Sequence, residues 1–449
     1  MGYFSGFQKN FQIIFVFFSI TLLPVSYSLA QSNKGNNHSS VDSLSSDQNH
    51  RKKPVGQMDL KDIKKMLFHT RHHLKEEPAI DSSLISTIYT SPILRFDSAK
   101  LKPFKLYPSY APAPGYNIQN GLLLIVACNF SFLTGNNENT NISTISFNPD
   151  YSLTYGQVML PIVFNLWSDE NKLDIIGDWR YYYYPTYTYG LGGNSSLANW
   201  DLINYSYIRF YQEVLKQIPG TKFYLGAGYD MDYHFDIKKL DSAGRGTDFT
   251  QYNGNLKSTV SSGPVVDLRY DDRKNQNNPI ENALYSSLVY RYNTTLLGST
   301  RNYQSVVWDT RKYIKFSQHS DNMLCFWNLN WFTFGGKAPY FDLPSTGWDS
   351  YSNTGRGYIQ GRLRGPGMIY LESEYRFGIT RNGLLGGVLF INGERVSDPV
   401  TYKFGTVLPG YGFGLRIKVN KFSRVNFAID YGFGTQGSNG PAFNVSEIF

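Results

Sequence analysis

Along the last forty residues of the chain, hydrophobic and polar positions alternate with a period of two. From Tyr411, the odd positions hold Phe413, Leu415, Ile417 and Val419, and the even ones Gly412, Gly414, Arg416, Lys418 and Asn420. After a turn at Lys421-Phe422-Ser423, Val425, Phe427, Ile429, Tyr431 and Phe433 alternate with Asn426, Ala428, Asp430, Gly432 and Gly434. Such alternation sends one set of side chains to each face of a strand. The pattern recurs over most of the chain in long, aromatic-rich segments. It predicts strands over 118–133, 141–154, 157–167, 171–185, 200–213, 221–236, 256–270, 281–297, 300–316, 321–336, 367–379, 383–392, 410–419, 423–434 and 442–449. The fold class is therefore all-β: a transmembrane antiparallel β-barrel over residues 113–449. Single-chain bacterial barrels have an even number of strands. The expected count is about sixteen, with fourteen as the alternative and a missed or split strand near 236–256.

The N-terminal quarter reads differently. Lys9, the apolar run Phe11 to Leu23, Pro24 and the small-residue site Ser28-Leu29-Ala30 make residues 1–30 a secretory signal peptide. The run is too short for a membrane-spanning helix. Residues 31–57 are polar and without period, a disordered periplasmic segment. Over 58–77 a short helix is expected, with Leu60, Ile63, Met66, Leu67 and Leu74 on one face and Lys61, Lys64, Lys65, Arg71 and Lys75 on the other. This basic amphipathic helix is either solvated beside the barrel rim or lies at the inner leaflet or in the lumen. Six prolines between Pro78 and Pro114 mark a linker over 78–112.

Composition changes this picture only in part. With 41% hydrophobic residues and a mean hydropathy of −0.35, the chain resembles an ordinary soluble protein. A barrel has the same composition because only every second strand residue meets lipid. The 35 Tyr, 31 Phe and 7 Trp are more informative, since amphipathic rings collect at lipid–water boundaries. A net charge of +8 would suit nucleic acid. An exported barrel instead directs it to outer-membrane lipids or an anionic solute, and no nucleic-acid partner is expected. The implied location is the outer membrane of a Gram-negative bacterium. Cys128 and Cys325 are read as two buried thiols rather than a disulfide.

Catalytic signals are sparse. No Gly-x-Ser-x-Gly elbow is present, and His234 near Asp236 is only a fragment of a triad. His69, His72 and His73 have helical spacing, but on a basic helix they read as solvated side chains rather than metal ligands. The chain is expected to be no enzyme and to use no cofactor or metal.

The most specific chemistry lies in the long segment Pro339 to Pro366, which carries Gly355-Arg356-Gly357-Tyr358 and then Gly361-Arg362-Leu363-Arg364-Gly365. A loop of this length is usually functional or disordered. On the next strand, Ile369, Leu371, Tyr375 and Phe377 take one face, while Glu372, Glu374 and Arg376 take the other. If the first face meets lipid, two carboxylates project into the lumen, where a cationic loop tip could fold in. A guanidinium there can bind carboxylates bidentately. The other reading is that these charges are simply polar lining.

Several motifs accompany this loop: Leu371-Glu372-Ser373-Glu374-Tyr375-Arg376-Phe377, Gly412-Phe413-Gly414-Leu415-Arg416, Asp430-Tyr431-Gly432-Phe433-Gly434, the terminal Phe449, and Leu268-Arg269-Tyr270-Asp271-Asp272-Arg273 with Asn278-Pro279. With Arg356-Gly357-Tyr358 they make residues 115–449 resemble the bacterial surface antigen family, the superfamily of BamA- and TamA-like assembly factors and two-partner secretion transporters. The resemblance implies that Arg356, Gly357 and Tyr358 form a loop tip held in the lumen, with Glu372, Glu374 and Arg376 as its partners. It implies that Phe449 is a C-terminal insertion signal, read by the outer-membrane insertion machinery during biogenesis. It also implies a role in inserting or translocating protein or lipid; the alternative is a passive channel or structural surface barrel. Two features depart from the family pattern. No clear POTRA repeats precede the barrel, so assembly work would need a periplasmic partner to bring a client protein. And where many members carry an aspartate for the loop arginine, this chain has Asn392, with Glu394 nearby.

Overall fold

The computed structural model describes residues 103–449, apart from 118, 136–139, 241–245, 277, 318–319, 351, 419–423, 425 and 446. The expected signal peptide, polar segment and basic helix, and nearly all of the linker, lie outside the described residues. The described part is a mostly antiparallel β structure of eighteen strands. They are β1 (Tyr107–Asn117), β2 (Gly121–Phe132), β3 (Ser143–Phe147), β4 (Asp150–Ser152), β5 (Val158–Trp167), β6 (Leu173–Tyr183), β7 (Thr186–Thr188), β8 (Asp201–Gln217) and β9 (Phe223–Lys239). There follow β10 (Thr259–Asp271), β11 (Ala283–Asn293), β12 (Tyr303–Ser317), β13 (Ser320–Phe334), β14 (Gly367–Gly378), β15 (Leu385–Val396), β16 (Leu408–Lys418), β17 (Asn426–Phe433) and β18 (Asn439–Val445).

Each strand pairs with its sequence neighbours, with two interruptions. β3 and β4 both lie between β2 and β5, and β7 continues the line of β6 along β8. These breaks make eighteen strands of what the alternation predicts as fewer, longer ones. Among the described residues of the stretch near 236–256, where a missed strand is expected, β9 runs on to Lys239 and a short helix, α1 (Asp248–Asn253), follows, with no separate strand. The additional strand is β1, which begins inside the predicted linker because its prolines hide the alternation.

Parity along the strands separates two environments. On β14, Leu371 is 57% exposed, while Glu372, Glu374 and Arg376 are 3%, 0% and 7% exposed. On β15 and β16, Ile391, Tyr411 and Phe413 are all more than half exposed, while Glu394 and Arg416 are buried. On these strands charged groups thus line the interior face and aliphatic and aromatic groups the outer one, the reverse of a water-soluble protein. Most of these interior charges are ion-paired, as Glu372, Glu374, Arg376 and Arg416 are, and others such as Glu394 are hydrogen-bonded to neutral groups, which is what burial requires of them.

β1 and β18 meet at a single register position, Asn117↔Ala442, whereas β1 and β2 pair along the whole of β1. The prolines account for the difference. Successive residues of an antiparallel strand turn their peptide groups alternately to the two neighbours. Leu122 gives its carbonyl to Leu153 N at 2.8 Å, and Val126 N donates to Pro149 O at 3.0 Å, both on the side of β2 away from β1. Their β1 partners Tyr116 and Pro112 therefore direct their peptide groups toward β18, as do Pro108 and Pro114 at the same parity. Proline has no N–H to donate. Three of the five even positions of β1 thus offer β18 no donor.

Candidate functional site: an arginine-tipped loop in the interior

The connection between β13 and β14, residues 335–366, folds into the interior rather than over it. At its start, Phe341 stacks on Tyr205 of β8, with centroids 4.2 Å apart, and lies 5.3 Å from the His234 ring of β9. Ser261 Oγ of β10 donates to Asp342 Oδ2 at 2.5 Å, and His234 Nδ1 lies 3.6 Å from Asp342 Oδ1. His234 therefore faces Asp342 rather than the sequence-adjacent Asp236. Burial pushes the Asp342 carboxyl up to about 7, and the nearby Asp232 adds to the effect.

The loop is held at two further points before its end. Arg364 Nη1 donates to Tyr340 O at 3.0 Å, with its guanidinium over the Tyr340 ring at 5.0 Å. Arg362 donates to Ser195 Oγ and O at 3.0 and 2.7 Å and to Gln436 Oε1 at 2.8 Å. It thereby ties together the β7–β8 and β17–β18 connections.

At the tip, Arg356 reaches the opposite wall. Its Nη2 donates to Glu372 and, at 2.6 Å, to Glu374 Oε2; Nη1 donates to Asp430 Oδ2 at 3.0 Å. The guanidinium carbon lies 3.7 Å from the Phe390 ring centroid. Burial alone would favour loss of the proton, but Glu372, Glu374 and Asp430 outweigh it and raise the Arg356 pKa well above its ordinary value. Asn392 Nδ2 donates to the Arg356 carbonyl at 3.0 Å. The neutral residue that departs from the family pattern therefore binds the loop backbone instead of its charge. Glu394 accepts from Thr346 Oγ1 at 2.7 Å, elsewhere on the loop.

Gly357 permits the close approach of the tip. Its φ is +98°, and a Cβ there would lie 2.8 Å from the Phe433 carbonyl carbon. Tyr358 is buried, and its hydroxyl donates to Pro409 O at 2.5 Å while accepting from Thr435 N at 2.9 Å.

The network continues to the C-terminus. Arg376 donates through Nε to Glu374 Oε1 at 2.6 Å and through Nη2 to Phe449 O at 2.7 Å. Arg416 bridges Asp430 Oδ1 at 2.5 Å and Glu447 Oε2 at 2.7 Å. Burial pushes the Glu447 carboxyl up, but Arg416 and Arg376 overcome this and hold it below its usual range. Strand β18 ends at Val445 rather than at 449, as its alternation suggests, because Glu447 is drawn to these interior arginines. Phe449 is buried 5.4 Å from the Trp327 ring, and Asn353 Nδ2 of the loop donates to Ile448 O at 2.8 Å.

The structure thus brings Arg356, Glu372, Glu374 and Arg376 into one cluster, with Phe449 at its edge and Gly357 and Tyr358 seating the tip. The sequence reading names Asp430 and Arg416 only within the alternation and the family motifs, not as partners of Arg356, and gives Glu447 no part in the cluster. The Asp-Tyr-Gly motif at 430 was the available signal. Cys128 and Cys325 are both free. Among the described residues no group of His, Cys, Asp and Glu could hold a metal ion, and no helix is long and apolar enough to cross a membrane.

No protein-family model matches the chain, and no curated protein matches it. Among solved structures, BamA from Haemophilus ducreyi lacking POTRA domains 1–3 is similar, with a TM-score of 0.48 and 12% identity over 76% of this chain and 69% of that one. CdiB from Acinetobacter baumannii is similar with a TM-score of 0.49 and 12% identity over 76% of this chain; the chain spans 60% of its length.

Proposed function

We propose that the chain is an outer-membrane β-barrel of a Gram-negative bacterium that aids insertion or translocation of protein or lipid through its β1–β18 seam. The apolar outer face and the buried, paired interior charges support a membrane setting. Counting β3 with β4 and β6 with β7 gives sixteen strand positions, and the one β1–β18 pairing supports a closed ring. The longer connections, such as 335–366 and 397–407, fall at one end and the short ones, such as 218–222, at the other. Surface loops of barrels are long and periplasmic turns short, so both chain ends face the periplasm.

The observation that carries the reading is the seam: one paired position, with proline placed where β1 would donate. A seam in which proline removes three of the five β1 donors separates at lower cost than the long ladders between the other full-length strands. The passive-channel reading is less well supported, because the loop occupies the interior. In this reading the loop tip Arg356-Gly357-Tyr358 keeps the lumen shut, and Phe449 acts as the insertion signal before it is buried. The partners are outer-membrane lipids, the insertion machinery during biogenesis, and a periplasmic protein that delivers the client.

The test is a disulfide across the seam, Asn117→Cys with Ala442→Cys in a Cys128→Ser background. Oxidised protein should fail to complement depletion, with other barrels or lipid asymmetry lost, and reduction should restore function. Full complementation by the locked form would refute the seam mechanism.

A further inference from the structure

Given the membrane reading above, every outward position of β16 and β17 is suited to lipid: Tyr411, Phe413, Leu415 and Ile417, then Phe427, Ile429, Tyr431 and Phe433. The outer face of β11–β14 is different. Ser286, Thr310 and Asn328 are successive cross-strand partners and share that face with Lys312, Asn330 and Ser373. Some of these groups satisfy one another: Ser286 Oγ lies 2.9 Å from Thr310 Oγ1, and Asn330 Nδ2 donates to Asn328 Oδ1 at 2.6 Å. Lys312 is exposed and has no ion-pair partner among the described residues. Along its strand, Ile314 and Phe316 continue the outward row toward the periplasmic end, and Trp308 and Val306 toward the other. At ~3.3 Å per residue and a tilt near 45°, Lys312 lies roughly 9 Å deeper than Phe316.

The same surface is indented. A groove of about 410 Å³ runs beside Lys312, Asn328 and Ser373, between the larger Phe326, Leu371 and Ile391. It exists because Ser373 and Gly393 contribute so little side chain where their neighbours stand out.

We propose that this face docks a membrane-embedded segment of a second protein, which seats a side chain in the groove and presents a carboxylate to Lys312. Hydrocarbon offers neither a counter-charge nor hydrogen bonds to such a stripe, and ionisable groups at membrane depth belong to partnered sites. A second copy is disfavoured by charge. Across a two-fold axis the patch meets itself, and no Asp or Glu stands at an outward position on β10–β17. Lipid phosphates lie at the headgroup layer, away from Thr310 and Asn328.

The experiment places a photoreactive benzophenone residue at Ser373, and separately at Leu415, in the full-length chain in its native outer membrane. Heat-modifiable migration establishes folding for each variant. The expected result is a heteromeric adduct at Ser373 that persists with Lys312→Arg and is lost with Lys312→Met and Lys312→Glu. The adduct should map to a membrane-spanning segment carrying Asp or Glu, while Leu415 labels lipid only. An adduct with a second copy, lipid labelling alone at Ser373, no adduct there, or one indifferent to the charge at Lys312 overturns the docking proposal. Failure of Leu415 to label lipid would overturn the membrane reading itself.

Discussion

Arg376 holds the end of the chain by two contacts at once: its Nη2 donates to the Phe449 carbonyl at 2.7 Å, and its guanidinium lies 5.3 Å from the centre of the Phe449 ring. The C-terminal residue is therefore part of the packed interior. Phe449→Ala should destabilise the folded barrel by about 3 kcal/mol, within the range for loss of a buried phenyl ring. Heat-modifiable migration against temperature measures this. An unchanged transition would mean that the end of the chain contributes nothing.

Arg356→Ala leaves Glu372, Glu374 and Asp430 facing one another without their shared cation. Breaking a buried pair of this kind costs about 3–5 kcal/mol, so loop 340–366 should become open to protease from the outer surface. Arg356→Lys should restore little, since a lysine neither forks between carboxylates nor stacks on Phe390. Recovery to native protection in the lysine variant would show that charge alone suffices.

Gly357→Ala and Gly437→Ala separate backbone strain from crowding. Both positions have positive φ, at +98° and +78°. Only Gly357 has backbone atoms within 3 Å of its would-be Cβ; Gly437 has nothing within 4 Å. The Gly437 change should cost about 1–2 kcal/mol through backbone strain. The Gly357 change should cost more and also expose the loop to cleavage. Equal effects on melting would remove the role of the tight approach to Phe433.

Asp342 gives loop docking a pH dependence. Its carboxyl titrates at about 7 in the docked state, against an ordinary 3.8. A raised pKa contributes stability that is complete below the ordinary value and is lost as pH rises through about 7. The groups around it are His234, Ser261, Asp232, Arg291 and Arg209. Cleavage within 340–366 should therefore quicken between pH 5 and pH 8, and Asp342→Asn should flatten that slope. A wild-type rate that stays constant over this interval would exclude the effect.

The parts of the site that could be read from the sequence are those set by parity along one strand. Glu372, Glu374 and Arg376 share a face because their numbers are even, and that needs no tertiary knowledge. The partners contributed by distant strands were hidden. Asp430 is 74 residues from Arg356; the registers of β14 to β17 bring Asp430 level with Arg376, and only the inward fold of the loop brings Arg356 to them. β1 was hidden for another reason: Pro108, Pro112 and Pro114 interrupt its hydrophobic alternation and read as linker. Alternation also extended β18 to the chain end, since it carries no information about the arginines that draw Glu447 and Phe449 inward.

The loop that enters between β13 and β14 touches β8, β9 and β10 at Tyr205, His234 and Ser261, and β14, β15 and β17 at Glu372, Asn392 and Asp430. In mechanical terms it is a spoke. In the proposed membrane barrel, a hoop of strands joined at one place by a single rung would flatten or spring apart under lateral pressure, and a spoke fixed to separate arcs would hold it round. Releasing Arg356 would free the spoke at the arc next to β18, since Asp430 lies on β17, so strain applied at the tip is felt one strand away, where β1 meets β18.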